Sequence, residues 1–108
     1  MKGELLKGHL DLMLLAVLAE RPAYGYALIR TLRSRTGGML ELTEGTIYPV
    51  LHRLEQGGYL ESRVQTVQSR QRRLYQVTAA GQEELERLRR EWDQFSLGVE
   101  KLLSSHES

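Results

Sequence analysis

The chain has 108 residues, a formal net charge of +1 and no cysteine. That length gives room for one ordinary domain with an appendage and excludes a second, catalytic domain. The lack of cysteine excludes a disulfide framework and a thiolate metal site, and it agrees with a reducing compartment. The apolar run from Leu10 to Ala19 is too short to cross a bilayer, and the N-terminus lacks a signal-peptide cleavage pattern. The expectation is a soluble, cytoplasmic protein.

The small net charge hides an asymmetry. Residues 1–78 carry +4 and residues 79–108 carry −3. The change of sign divides the chain into a basic head, 1–78, and an acidic tail, 79–108. A polyanion is drawn to the head and kept from the tail.

In chain order, Leu5, Leu6, Leu10, Leu12, Met13, Leu14, Leu15, Val17 and Leu18 predict a first helix that is apolar nearly all round, with Asp11 its one charge between Leu10 and Leu18. Such a helix is buried on more than one side, so part covers the head and the rest, including Leu6, Leu10 and Met13, needs another surface. Arg21-Pro22 ends it, because proline disfavours helical geometry in the residue before it. A second helix is predicted from near Ala23 or Tyr24 to Gly37-Gly38, with Gly25, Leu28, Ile29 and Leu32 inward and Arg30, Arg33 and Arg35 elsewhere on its surface. The link Met39-Leu40-Glu41-Leu42 is more apolar than a bare turn and predicts a short extended piece beside the hairpin that follows.

Ile47, Val50, Leu51 and Leu54 fall at i, i+3, i+4 and i+7, the buried stripe of a third helix. Thr43 is its N-cap, Glu44 suits the positive end of its dipole, and Gly57-Gly58 permits a left-handed stop, so the helix spans Glu44 to Gln56. Thr46, Tyr48, Pro49, His52 and Arg53 turn to the open side, with Gly45 near the tip. Pro49 removes the bond to the Gly45 carbonyl and predicts a bend. Taken alone, this is equally an ordinary packed helix with a solvated face.

The segments Tyr59–Val67 and Arg72–Thr78 are rich in β-branched and aromatic residues and flank a polar tip, Gln68-Ser69-Arg70-Gln71. They predict a hairpin. A helix followed directly by a hairpin with a cationic tip is the layout of a winged helix, in which the helix enters the major groove and the hairpin reaches phosphates. Arg70, Arg72 and Arg73 repel one another unless anions sit among them, although a solvated loop is the alternative.

Thr78 caps a last helix, with Glu83 and Glu84 in its early turns. Leu85, Leu88, Trp92, Phe95, Val99 and Leu102 then alternate in steps of three and four, a coiled-coil seam. From Ala79 to Leu103 such a helix runs about 37 Å, longer than the head can cover. Its seam needs a partner, and the nearest candidate is another copy of the chain related by a twofold axis.

These residues also resemble a family. Thr43-Glu44-Gly45-Thr46-Ile47-Tyr48-Pro49, then Leu51, Arg53-Leu54-Glu55, Gly58-Tyr59-Leu60, and Arg72-Arg73-Leu74-Tyr75-Gln76-Val77-Thr78 with Gly81, look like the signature of PadR-type transcriptional regulators, in order, from about Leu10 to Phe95. The resemblance implies a mainly α, α+β fold: a winged helix-turn-helix of three helices and a β-hairpin wing, with a long C-terminal dimerisation helix. It implies a homodimeric DNA-binding regulator, a repressor, reading an inverted repeat with half-sites about 10 to 10.5 base pairs apart or a multiple of that. Thr43, Thr46 and Tyr48 would hold phosphates through their hydroxyls and the helix N-terminus, with Glu44 and Gly45 in the same DNA-binding set. Pro49 and His52 would lie nearest the base edges, and Arg53, Arg70, Arg72 and Arg73 would supply charge. The Tyr24-Gly25-Tyr26 pattern resembles the family's at the start of the second helix, where it braces the recognition helix and approaches the DNA backbone; plain packing is the alternative. The family's wings often carry glycine at the tip, and none stands between Gly58 and Gly81 here, so the turn type stays open.

Trp92 lies where multidrug-binding relatives present an aromatic plate between subunits, which implies a small aromatic effector lined by Phe95, Ser96, Leu5, His9 and Leu12. The competing reading is that Trp92 fills the seam. From a different class, a winged helix that grips a protein partner instead of DNA is the alternative function. An enzyme is not expected, because His9, His52 and His106 fall in three different elements with no nucleophile or paired carboxylates near them. Neither a metal nor a cofactor is expected.

Overall fold

The computed structural model describes residues 9–40 and 42–104. Its elements are α1 (Leu10–Glu20), β1 (Ala23–Tyr24), α2 (Gly25–Arg35), α3 (Glu44–Gln56), β2 (Leu60–Val67), β3 (Arg70–Val77) and α4 (Ala79–Ser104). Three short helices and a three-stranded antiparallel sheet form a head from which α4 runs out. The architecture is the expected α+β winged helix-turn-helix. Among the described residues no helix is long and apolar enough to cross a membrane.

The core is one cluster contributed by every helix and by both long strands. Leu10, Leu14 and Leu15 of α1, Leu28 of α2, Ile47 and Leu51 of α3 lose all their exposure in it, and Leu54, Leu60, Tyr75 and Leu85 close its edges. No described residue of α1 before Glu20 is exposed, as its unbroken apolar sequence requires. Truncating any of these leucines to Ala removes about 2–5 kcal/mol.

The α3 boundaries follow its end signals. The Thr43 hydroxyl accepts from the Thr46 amide at 3.3 Å, and Glu44 occupies the first turn. At the other end Gly58 adopts φ +84°, its amide donates to the Glu55 carbonyl, and the Tyr59 amide donates to the Leu54 carbonyl, each at 3.0 Å. This is a Schellman stop, and it delivers the chain straight into β2. The helix continues through Pro49.

The sheet departs from expectation in two places. Its order is β1-β3-β2, and the third strand is Ala23–Tyr24, paired with Tyr75 and Leu74, rather than the start of α2 or the link after it. Leu40 and Leu42 of that link are buried in the core, which accounts for their apolar character without a strand. The wing is also tighter than predicted. Arg70 and Gln71 belong to β3, opposite Val67 and Thr66, so the turn is only Gln68-Ser69, at φ +51° and +66°. Two positive φ values are what a two-residue hairpin matched to strand twist requires, met here without glycine.

The N-terminus of α4 is anchored in the head. The Thr78 hydroxyl accepts from the Gly81 amide at 3.1 Å and donates to the Gly58 carbonyl at 2.6 Å. Gly81 lies so close to the strand entry that a Cβ there would sit 2.1 Å from the Tyr59 carbonyl oxygen. Leu10 and Leu85, expected to face a partner, are instead enclosed by their own head, at 0% and 8% exposure, and have no side-chain surface to offer. Leu88 and Met13 are half-buried against the same core, while Trp92, Phe95 and Leu102 are exposed. Leu5 and Leu6 lie outside the described residues.

Candidate nucleic-acid interface

The open side of α3 is made by Thr43, Glu44, Gly45, Pro49 and His52, all exposed, with Thr46 half-buried at its edge. The Thr43 and Thr46 hydroxyls lie 3.1 Å apart and share a hydrogen bond. Pro49 has no N–H for the Gly45 carbonyl, so that acceptor stays on the open side. The first turn therefore presents small groups and the positive helix end, which admit the backbone of a polyanion, while the exposed Glu44 carboxylate and the Gly45 carbonyl oppose it.

Tyr48 is placed differently from the expectation of a free hydroxyl. Its ring lies over Gly25, leaving 37% exposure, and a Cβ on Gly25 would fall 2.5 Å from the Tyr48 hydroxyl oxygen. Burial, with a smaller contribution from the Glu44 charge, raises the Tyr48 pKa against the lowering effect of Arg72. The phenol thus stays protonated at neutral pH and is a hydrogen-bond donor.

The hydroxyl of Tyr24 is engaged within the protein. It donates to Gln65 Oε1 at 2.6 Å, tying β1 to the wing, and its ring stacks on Tyr26 with the planes 3° apart. The resemblance implied that this segment braces the recognition helix and approaches the DNA backbone; the hydrogen bond to Gln65 shows Tyr24 bracing β1 against the wing.

The three wing arginines do not form one cluster. Side chains alternate along a strand, so Arg70 and Arg72 share one face of β3 and Arg73 takes the other. Arg70, beside the turn, is exposed. Arg72 is half-buried, its guanidinium carbon 4.7 Å from the centre of the Tyr26 ring. Arg73 donates to the Ser62 hydroxyl at 3.0 Å, and that hydroxyl donates to Glu55 Oε2 at 2.8 Å, which links the wing to the last turn of α3.

Arg53 is the clearest correction. It lies on the flank of α3 that meets α1, where it makes two hydrogen bonds to the Asp11 carboxylate at 2.6 and 3.1 Å. That carboxylate raises the Arg53 pKa and cancels its charge. Rather than facing the groove, Arg53 helps wall a cleft of about 310 Å³ with His9, Asp11, Leu12, Leu88, Glu91, Trp92 and Phe95. Four of the six residues expected at an effector site line this cleft. His9 packs edge-on against Trp92 at 5.3 Å, Ser96 is not in the wall, and Leu5 lies outside the described residues. Asp11, Arg53 and Glu91 were not expected there, although the i, i+3 spacing of Leu88 and Glu91 places both on one flank of α4.

Among the described residues no group of three His, Cys, Asp or Glu side chains is placed to hold a metal ion. An amphipathic helix with an open, proline-bearing first half, a hairpin tied to its end and a capped long helix behind define a winged helix-turn-helix of the DNA-binding class. Residues 14–87 match the model of the transcriptional regulator PadR-like family, and the chain belongs to that family. It is 38% identical over 81 residues to a transcriptional regulator of Mycobacterium tuberculosis, covering 75% of this chain and 73% of that one. Among solved structures it is similar to a PadR family transcriptional regulator from Eggerthella lenta, at 35% identity and TM-score 0.84, covering 95% of this chain and 88% of the other. A PadR-like transcriptional regulator from Bacillus cereus has 30% identity and TM-score 0.84, over 96% of this chain and 100% of that one. The chain is a DNA-binding regulator of transcription and not an enzyme.

Proposed function

We propose that the protein acts in the cytoplasm as a homodimer that binds an inverted-repeat operator and represses transcription. In this reading residues 1–78 form the reading head and residues 79–108 the dimerisation helix. The observation that carries it is the pairing of two surfaces on one chain: the open first half of α3 beside the wing, and the bare outer stretch of α4. On α4 Trp92, Phe95, Leu102 and Leu103 are 43% to 76% exposed, with Val99 half-buried among them. Such a stripe is supported in solution by a second copy. Two heads related by a twofold then meet the same groove pattern one helical turn apart, about 10 to 10.5 base pairs or a multiple of it.

Thr43, Thr46 and Tyr48 serve the phosphates, Pro49 and His52 the base edges, and Arg70 and Arg72 supply positive charge that no described carboxylate pairs. The cleft around Trp92 and Phe95 accommodates a small planar aromatic molecule whose binding relieves repression; titration of such compounds against Trp92 fluorescence tests that part. The DNA reading is tested by fluorescence anisotropy on a labelled duplex from the upstream region of the protein's own gene. Affinity is expected to fall by orders of magnitude from low to moderate salt. Binding that ignores salt would favour a protein-binding winged helix instead.

A further inference from the structure

Among the nine described arginines of the head, three are tied directly or through a hydroxyl to a carboxylate, and two of the others share an aromatic ring. Arg35 is paired with Glu20 and Arg53 with Asp11, both through two hydrogen bonds, and Arg73 is linked through Ser62 to Glu55. No described carboxylate lies within ion-pair distance of Arg30 or Arg72, yet both lean on the same ring: their guanidinium carbons are 5.7 and 4.7 Å from the centre of Tyr26. Two cations held against one aromatic ring with no described counter-charge leave positive charge free at this surface, which an anion can take up.

The ring itself is held in place. Tyr26 stacks in parallel on Tyr24, whose hydroxyl is fixed by Gln65 of the wing, and Gln65 stands directly opposite Arg72 in the hairpin. The neighbouring Gly25 carries the Tyr48 ring of α3. The wing, α2 and α3 therefore converge at Tyr26.

We propose that Tyr26 is a positioning residue for DNA binding, holding Arg30 of α2 and Arg72 of the wing as one clamp on the sugar-phosphate backbone next to Tyr48. Arg30 thereby becomes a phosphate-contacting residue of the helix-turn-helix, and the grip is independent of base sequence. This inference rests on the DNA-binding reading.

The test uses the full chain and a short fluorescein-labelled duplex of arbitrary sequence, read by anisotropy over a salt series. Arg30→Ala is expected to make the slope of log affinity against log salt shallower by about 0.9 for each subunit engaged, whereas Arg30→Lys keeps it. Tyr26→Phe keeps the ring and the affinity, while Tyr26→Leu loses about threefold for each subunit engaged, at an unchanged unfolding midpoint. A wild-type slope in Arg30→Ala overturns the clamp, as does a loss in Tyr26→Leu that merely follows a lowered midpoint. If the unaltered protein shows no salt-dependent binding to the duplex, the DNA-binding reading falls with it.

Discussion

Replacing Gly25 by Ala tests how the recognition helix is seated. A Cβ at this position would lie 2.5, 2.6 and 2.7 Å from three atoms of the Tyr48 side chain, about 1 Å inside ordinary contact. Overpacking of this kind removes about 1–3 kcal/mol, and a middle value of about 2 kcal/mol applies, because three ring atoms clash while the 37% exposed ring still has room to swing outward. Glycine to alanine returns at most about 0.5–1 kcal/mol, the value of a mid-helix site, because Gly25 is the first residue of α2. The net loss is about 1 kcal/mol, a fall of about 4 °C in the unfolding midpoint for a chain of this size. Thermal unfolding followed by far-UV circular dichroism at fixed protein concentration measures it, since the proposed self-association would make the midpoint concentration-dependent. The displaced ring moves onto the face presented to DNA, so affinity falls as well. In a Tyr48→Ala background the obstruction is gone, and the same substitution becomes neutral or stabilising, a coupling of about 1–2 kcal/mol. If Gly25→Ala raises the midpoint of the otherwise unaltered protein, the argument for this seating is wrong.

Asp11→Ala releases the Arg53 guanidinium, and affinity for duplex DNA is expected to rise with a salt slope steeper by up to about 1 per subunit; an unchanged slope means Arg53 cannot reach a phosphate from its flank. Ser69→Gly removes a side chain from a left-handed turn position at φ +66° and should stabilise the protein by about 1 kcal/mol, read as a higher urea midpoint at the same slope. Phe95→Asp places a charge in the exposed stripe of α4 and is expected to shift sedimentation from two chains to one, while the folded head keeps its circular dichroism. The Arg87 guanidinium beside Glu84 holds that carboxyl below its ordinary value of 4.5. The stabilisation is therefore full above pH 4.5 and is lost as pH falls through the lowered value; comparing midpoints of the parent and Glu84→Gln across this window checks it, with parallel curves counting against it.

The elements built from repeated local signals were legible in the sequence, and those decided by a single distant partner were not. Helix α3 carried its own periodicity, cap and stop, and its bounds follow from residues 43 to 58 alone. Strand β1 is two residues long, too short for any alternation to show, and only Tyr75 and Leu74, about fifty residues away, make it a strand. The wing turn was misjudged because Gln68-Ser69 lacks the glycine or asparagine that marks two positive φ values. Arg53 looked available because a helical wheel places it on the open flank; the carboxylate that takes it lies 42 residues earlier. The seam of α4 was legible as a stripe, but periodicity does not tell which of its leucines the head encloses. Leu85 belongs to the head's core, and the free stripe begins near Trp92.

The root of α4 fixes more than its own start. Because Gly81 rests against the Tyr59 carbonyl, the Thr78 amide and hydroxyl bond to the Tyr59 and Gly58 carbonyls, and Leu85 is buried in the head's core, the angle at which the long helix leaves the head is set by close contacts in its first turns. In any pair of chains joined along α4, the separation and tilt of the two heads are then inherited from those few atoms. On the proposed dimer reading, the spacing of a cognate palindrome would be set at this shoulder, far from any base, and a bulkier residue at position 81 would change which spacing is tolerated without touching a single DNA contact.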